Sequence, residues 1–455
     1  CVMFQSLKRP KIFYKNFARL AAPVVLQNLI TLSLAMCDTL FLGAVGENEI
    51  AAVTLANSPF FVIMLMVFGF QSGSSVLISQ YWGKRDTKTI SRVIGVAFMA
   101  AITLTTLCAA VTMLFPHQIM RFFTPDPILL DMAARYMKIV AVSYVINTFT
   151  QVYISAHRSM ENAAVGMYIF GAATLTNTVL NYILIFGKFG APALGIEGAA
   201  IATVISRVVE LGITIAYAAS NRRFRLDLGA MFRPGRAIAS DFFRYGAPVV
   251  LNETLWGLGV SLYPAILSRM GTDILAAQTI STNVEKVFNV LATGVANASG
   301  VIIGTLMGQG KAKEAFETSH TLRTLSFLVG VAAMLFLLVA AWPIVSWFNI
   351  PDTTKAVARV VLIIYALRLP MVNINMTTVV GILRAGGDSR VAAMIDLVAL
   401  WLFSLPVSAL LGLVFKTHYI YVFIAICMDD VIKCCLSVAR LKSGVWMRNV
   451  TRDFS

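Results

Sequence analysis

The segment Ala22-Pro23-Val24-Val25-Leu26 recurs 225 positions later as Ala247-Pro248-Val249-Val250-Leu251. The same offset carries Gly46 to Gly271, Ala51 and Ala52 to Ala276 and Ala277, Ile78 to Ile303 and Gly83 to Gly308. Compositional bias does not hold Pro and Gly in register over such a stretch, so the chain reads as two copies of one unit. Any fold it adopts must divide into like halves. In transporters built from repeats, the substrate route runs between them.

That unit belongs in a membrane. Hydrophobic residues make up 58% and charged residues 13% of the 455, against about 25% charged in soluble domains. Apolar runs of about twenty residues are long enough to cross the hydrocarbon core as helices. They predict spans near 17–43, 51–82, 92–115, 129–156, 164–186, 195–219, 241–268, 274–307, 320–347, 356–383, 391–415 and 419–440. The expected fold is an all-α polytopic membrane protein with twelve transmembrane helices in two pseudo-symmetric six-helix bundles. The amino-terminal lobe takes 1–219, a basic linker 220–240 and the carboxyl-terminal lobe 241–455. The basic start, with Lys8, Arg9, Lys11 and Lys15, runs into a span with no small-residue cleavage site, so no removable signal peptide is expected.

The net charge of +15 does not point to nucleic acid, because it is sorted by loop. Most Lys and Arg fall at the two termini and on loops that follow even-numbered spans. Arg222, Arg223, Arg225, Arg233, Arg236 and Arg244 cluster at the join between the halves. By the positive-inside rule both termini and that join are cytoplasmic. Cys1, Cys37, Cys108, Cys427, Cys434 and Cys435 show no zinc or disulfide spacing. His117, His157, His320 and His418 sit at span ends rather than together. No phosphate loop or nucleophile elbow is present, so neither an enzyme nor a cofactor is expected.

Ionisable residues at membrane depth are costly and are the first place to look for function. Asp38 lies in the first span with no basic residue near it in sequence. Such a carboxylate binds a cation or takes up a proton, unless it reaches water at the outer end of its span. Asn177 and Asn181, four apart, share a face of the fifth span, and Thr203 offers a hydroxyl from the sixth. These oxygens suit a hard cation such as Na+. Asparagines also serve as polar contacts between helices, and both readings stand at this point.

The second half carries Glu253, Glu285, Lys286, Asp396, Asp430 and Lys433 within spans. Asp430 and Lys433 are three apart and are expected to pair, as are Arg207 and Glu210 with the signs reversed. Glu253 and Glu285 are then the candidates for contact with a cationic substrate. Phe60, Phe61, Phe68, Trp256, Tyr263 and Phe288 could receive flat cations through stacking and cation–π contact, or simply pack. Pro23 either kinks its helix or sits harmlessly in the first turn.

Several strings together resemble the multidrug and toxic compound extrusion (MATE) transporters over nearly the whole chain. They are Asp38-Thr39-Leu40-Phe41-Leu42-Gly43, the run Gly43 to Gly46, the segment Asn177 to Asn181 followed by Gly198 to Thr203, and Leu383 to Asp388 matched by His157 to Asn162. The resemblance implies an ion or proton site in the amino-terminal lobe made of Asp38, Asn177, Asn181 and Thr203, with Tyr136 a further member. It also implies a first-helix hinge at Pro23. Two departures stand out. Asn373 falls where some sodium-coupled relatives have a tenth-helix acid, and their seventh-helix glutamate falls at or near Trp256, one turn beyond Glu253. The implied protein is a monomeric secondary antiporter of a bacterial plasma (inner) membrane, working by alternating access. It would export small amphipathic or cationic molecules in exchange for Na+ or H+, with substrate contacts at Glu253, Glu285, Trp256, Phe60 and Tyr263. The alternatives are a flippase for lipid-linked sugars or peptidoglycan precursor and, in another class, an ion channel or membrane receptor. Because Tyr263, Ser404 and Pro406 stand in the second half where the first has Asp38 and its partners, ion coupling is expected in the first half alone.

Overall fold

The computed structural model describes residues 7–452 apart from Asn349; Cys1 lies outside them. Twelve long helices account for most of these residues. In the first half they are α1 (Lys11–Gly43), α2 (Glu47–Lys84), α3 (Thr87–Leu114), α4 (Pro127–Ser159), α5 (Ala164–Phe186) and α6 (Gly195–Ser220). In the second they are α7 (Arg236–Ser268), α8 (Thr272–Gly308), α9 (Ala312–Ser346), α10 (Asp352–Leu383), α11 (Ser389–Val414) and α12 (Tyr419–Ser443). Ten are long and apolar enough to cross a membrane. The other two, α7 and α12, carry ionisable residues along their length.

Local chemistry sets the ends. Asp86 caps α3 by accepting from the Thr89 amide at 2.9 Å. Asp126 caps α4 through the Ile128 amide at 2.8 Å, with Pro127 as the first helical residue. Helix α5 stops at Gly187 and α12 at Gly444, both left-handed, a conformation glycine adopts without a Cβ penalty.

The chain forms two compact units. One comprises 26–78 and 86–244; the other comprises 1–25, 79–85 and 245–455. The partition cuts α1 between Val25 and Leu26 and assigns the end of α2 to the second unit. The first unit's core lies among Leu42, Ala52, Val67, Met137 and Tyr144. The second has one cluster around Leu337, Leu362 and Phe423 and another around Ile303, Leu383 and Trp446. In lipid, close packing rather than exclusion of water holds such helices together. Gly300 and Gly381 let α8 and α10 approach closely: a Cβ at Gly381 would lie 2.6 Å from the Ala296 carbonyl oxygen. Many large apolar side chains, Leu40, Val339 and Trp342 among them, face outward, as a lipid-facing surface requires.

The basic connection after α6 is docked. It contains a short helix, Leu228–Phe232, capped by Asp227. That helix rests on α3 at Gly95, where a Cβ would fall 1.9 Å from the Met231 carbonyl oxygen. The Asp227 amide also donates to Ser91 Oγ at 3.2 Å.

Helix periodicity in the sequence does not disclose one feature of the second half. Met376–Leu383 in α10, and Ala399–Ser404 and Leu410–Val414 in α11, are wound as wide π-helical turns. Next to the turn in α10, Ser326 Oγ of α9 donates to the Asn373 carbonyl oxygen at 2.7 Å, while Asn375 of α10 itself donates to the Asp430 carbonyl oxygen of α12 at 2.8 Å. Such insertions are a known cause of local departures from the regular helical ladder.

Candidate functional site

In the first unit, helices α1, α2, α4, α5 and α6 enclose a cavity of about 190 Å³ lined by Asp38, Thr54, Asn57, Tyr136, Asn181 and Thr203. Asp38 is half-buried on α1. Asn181 donates from Nδ2 to Asp38 Oδ1 at 2.6 Å and to Asn177 Oδ1 at 2.9 Å. The four-residue spacing on α5 thus places both amides in line behind the carboxylate. Asn177 in turn donates to Ser206 Oγ at 3.4 Å, and Ser206 bonds to the Thr203 carbonyl oxygen at 2.8 Å. Both asparagines and Tyr136 are buried.

One buried atom of the Asp38–Asn181–Asn177 series is unsatisfied. Asn181 Oδ1 is buried and has no hydrogen-bond partner. A buried acceptor without a donor is destabilising by about 1–3 kcal/mol, so a donor or a positive species at this place would stabilise the site. Behind the cavity, Arg207 bonds to the fully buried Glu210, the pair expected from the sequence. The structure therefore brings together Asp38, Asn177, Asn181, Thr203 and Tyr136. It adds Thr54 and Asn57, three apart on α2, a polar spacing legible in the sequence.

Pro23 lies well inside α1, not in its first turn, and Pro248 stands the same distance into α7, as Lys11 to Pro23 matches Arg236 to Pro248. The harmless first-turn placement is excluded. Each proline deletes an interior backbone hydrogen bond. Pro23 is also two residues from the point at which α1 passes from one unit to the other.

The second unit has no carboxylate at the matching place. Tyr263 on α7 instead shares a 2.7 Å hydroxyl–hydroxyl hydrogen bond with Ser404 on α11, a neutral counterpart of the Asp38–Asn181 contact. Its charges are elsewhere, in pairings that differ from those expected. Asp430 does not pair with Lys433; its partner is Arg368, at 3.6 Å. Lys433 lies between Asp396 at 3.0 Å and Asp429 at 2.8 Å. Turning three residues along a helix brings two side chains near one another, but better-placed partners on α10 and α11 compete. Glu253 is held by Arg384 at 2.8 Å and Glu285 by Arg368 at 2.5 Å. Each candidate substrate carboxylate is thus already matched by a guanidinium. Lys286 is exposed and donates to Asn283. Arg368, Arg384 and Asp429 were not singled out in the sequence; the signal available was a charge within or beside a span.

The aromatic candidates are dispersed. Phe60 stacks on Tyr144 with centroids 4.6 Å apart, inside the first unit's own packing. Trp256 and Phe288 pack against the second unit's core. Phe61 is exposed and Phe68 half-buried. Among the described residues, no three His, Cys, Asp or Glu side chains are grouped so as to hold a metal ion.

The sequence profile of the MatE family matches residues 23–183 and 249–410, once in each half. A probable multidrug resistance protein NorM of Thermotoga maritima is 24% identical over 441 residues, covering 96% of this chain and 95% of the relative. The multidrug resistance protein MdtK of Yersinia enterocolitica is 26% identical over 409 residues, covering 89% and 88%. Among solved structures, the Vibrio cholerae MATE transporter VcmN superposes with a TM-score of 0.85 at 20% identity, over 96% of this chain and 98% of its own. A MOP superfamily transporter from Pyrococcus furiosus gives 0.85 at 18%, over 94% and 95%. These likenesses carry the twelve-helix fold, and with the profile matching both halves, the chain belongs to the MatE family.

Proposed function

We propose that the protein is a secondary active multidrug exporter of a bacterial plasma membrane, with both termini cytoplasmic. It exchanges outward-moving amphipathic or cationic compounds for an inward-moving ion. The relatives' names, multidrug resistance proteins NorM and MdtK, support the substrate class. The observation that carries the coupling is the hydrogen-bonded chain Asp38–Asn181–Asn177, with a carboxylate facing a cavity and the Asn181 carbonyl oxygen left without a donor.

The driving ion acts there as a co-substrate. A proton would reside on Asp38; Na+ would draw on Asp38, Asn177, Asn181 and Thr203 as oxygen ligands, with Tyr136 lining the cavity. Either neutralises the one formal negative charge and supplies the missing partner. Exchange requires that ion binding and substrate binding favour opposite conformations, since only differential affinity between two states moves an equilibrium. Pro23, deep in α1 and close to the unit boundary, is the hinge through which occupation of the Asp38 site reaches the rest of the molecule. Tyr263, Trp256 and Phe60 contribute apolar and aromatic surface, and Glu253 and Glu285 serve through their ion pairs.

The test is efflux of an organic cation from proteoliposomes with a Na+ gradient and a pH gradient imposed separately. Efflux driven by one gradient and lost in Asp38→Asn supports the proposal. Equal efflux with no gradient would mark a uniporter or channel and sink it.

A further inference from the structure

The basic connection after α6 is seated at a definite height in the first unit. Its helix, Leu228–Phe232, has five residues, too few to hold together alone in water. Asp227 caps it by accepting from the Ala230 amide at 3.0 Å, and Ala230 and Met231 are buried, with the Met231 carbonyl against Gly95 of α3. The Asp227 amide meets Ser91 of the same helix. Ser91 and Gly95 lie four and eight residues into α3, so the seat is about 6–12 Å along that helix at about 1.5 Å per residue. The apolar run of α3 begins near residue 92. The short helix therefore stands level with the edge of the hydrocarbon core rather than out in the aqueous phase.

Its exposed side is apolar with basic flanks. Leu228 and Phe232, four apart and so on one side of the helix, are 60% and 63% exposed. Arg222, Arg225, Arg233 and Arg236 flank them in sequence and are exposed. Among the described residues no carboxylate pairs with any of these four; Arg223 differs, lying 4.0 Å from Glu161. The two acids of the stretch offer little counter-charge, since Asp227 is engaged in the cap and Asp241 is buried. Exposed apolar side chains between unpaired guanidinium groups, level with the membrane edge, complement a leaflet with anionic headgroups. Apolar area enters the acyl boundary, and each basic side chain adds attraction to the charged surface. A cytosolic protein would have to approach at the height of the headgroups, where lipid already stands.

We infer that this connection is an interfacial anchor that binds anionic phospholipid of the cytoplasmic leaflet. Leu228 and Phe232 enter the acyl boundary, and Arg225, Arg233 and Arg236 hold the phosphate groups. The anchor rests on the cytoplasmic placement of the join proposed above and needs nothing of the driving ion or the exported compound. Held by its cap and by the seat at Gly95, the helix presents its apolar pair without having to fold on binding, which lowers the entropic cost. Two side chains are a small apolar area, so the strength of binding follows the charge of the leaflet. Lipid composition thereby sets how firmly the segment that joins the two halves is held to the membrane.

The experiment is amide hydrogen exchange, read by mass spectrometry, on the full chain in nanodiscs of phosphatidylcholine and of an equal mixture with phosphatidylglycerol. Exchange over 226–236 is expected to be several-fold slower in the anionic discs, and the difference shrinks at high salt. Arg225→Gln/Arg233→Gln/Arg236→Gln loses the difference, and the corresponding triple Lys variant, which keeps the charge, retains it. Leu228→Ser/Phe232→Ser exchanges faster in both lipids. Equal wild-type exchange in the two discs overturns the anchor, as does a difference that survives the Gln variant. Slowing reproduced by free glycerol phosphate in phosphatidylcholine discs also overturns it, since that marks a site for a soluble anion. Should the Gln variant fail to insert, Leu228→Ser/Phe232→Ser decides, and unchanged exchange there overturns the anchor. Failure of the efflux test would overturn the exporter reading while leaving these measurements unaffected.

Discussion

Asp38 is worth more as a charge than as a volume. Asp38→Asn keeps the shape and one hydrogen bond to Asn181 but removes the negative charge at the cavity. Coupled efflux is expected to fall to background in proteoliposomes while membrane level and melting temperature stay near wild type. Asn181→Ala removes two hydrogen bonds and Asn177→Ala the acceptor behind it; each bond contributes about 0.5–1.5 kcal/mol. If these amides are ligands, the concentration of driving ion for half-maximal efflux rises in each variant by more than the stability loss explains. A fall in melting temperature with unchanged ion dependence would instead make them contacts between helices. Glu253 behaves differently, because Arg384 is buried with it. Glu253→Gln takes the nearest carboxylate from Arg384, which keeps Asp396 at 3.9 Å, and is expected to lower the melting temperature. The double variant Glu253→Gln/Arg384→Gln recovers part of that, as read by thermal denaturation in detergent. A stable Glu253→Gln with altered substrate range would restore the role its sequence position suggests.

At the scale of elements, Pro23, Pro248 and the docked connection matter most. Pro23→Ala restores a backbone donor inside α1, so the helix is stabilised while motion about it is restrained; efflux is expected to drop several-fold without loss of thermal stability. Pro248→Ala serves as the comparison: α7 also passes between the units, from Arg244 to Tyr245, so a like drop in efflux is expected. Gly95→Val drives a side chain into the Met231 carbonyl, an overpacking that costs about 1–3 kcal/mol. Faster limited proteolysis within 221–235 is the readout, and an unchanged cleavage rate would mean that the short helix finds another seat.

For the whole molecule, both halves inherit the same helices and spend their polar residues differently. The first gathers Asp38, Asn177, Asn181 and Thr203 around a cavity; the second puts Tyr263 and Ser404 there and concentrates its charges near Lys433. Ion dependence of efflux is therefore expected to vanish in Asp38→Asn.

The number of helices, the duplication and the grouping of Asp38 with Asn177 and Asn181 could be read from the chain itself. A membrane helix needs about twenty apolar residues, a repeat leaves a constant offset, and a carboxylate in such a span is conspicuous because it is expensive. Asn177 and Asn181 could be placed on one face because helical periodicity is a local property. The ion pairs were decided only by the tertiary structure. Lys433 has acidic residues at both three and four positions' remove on its own helix, and Arg384 and Arg368 each had several carboxylates to choose from on other helices. Spacing along one helix gives proximity, but a pair forms where distance, direction and burial agree, and those depend on how α7, α8, α10, α11 and α12 pack. The same holds for the wide turns of α10 and α11, which leave no period in the sequence.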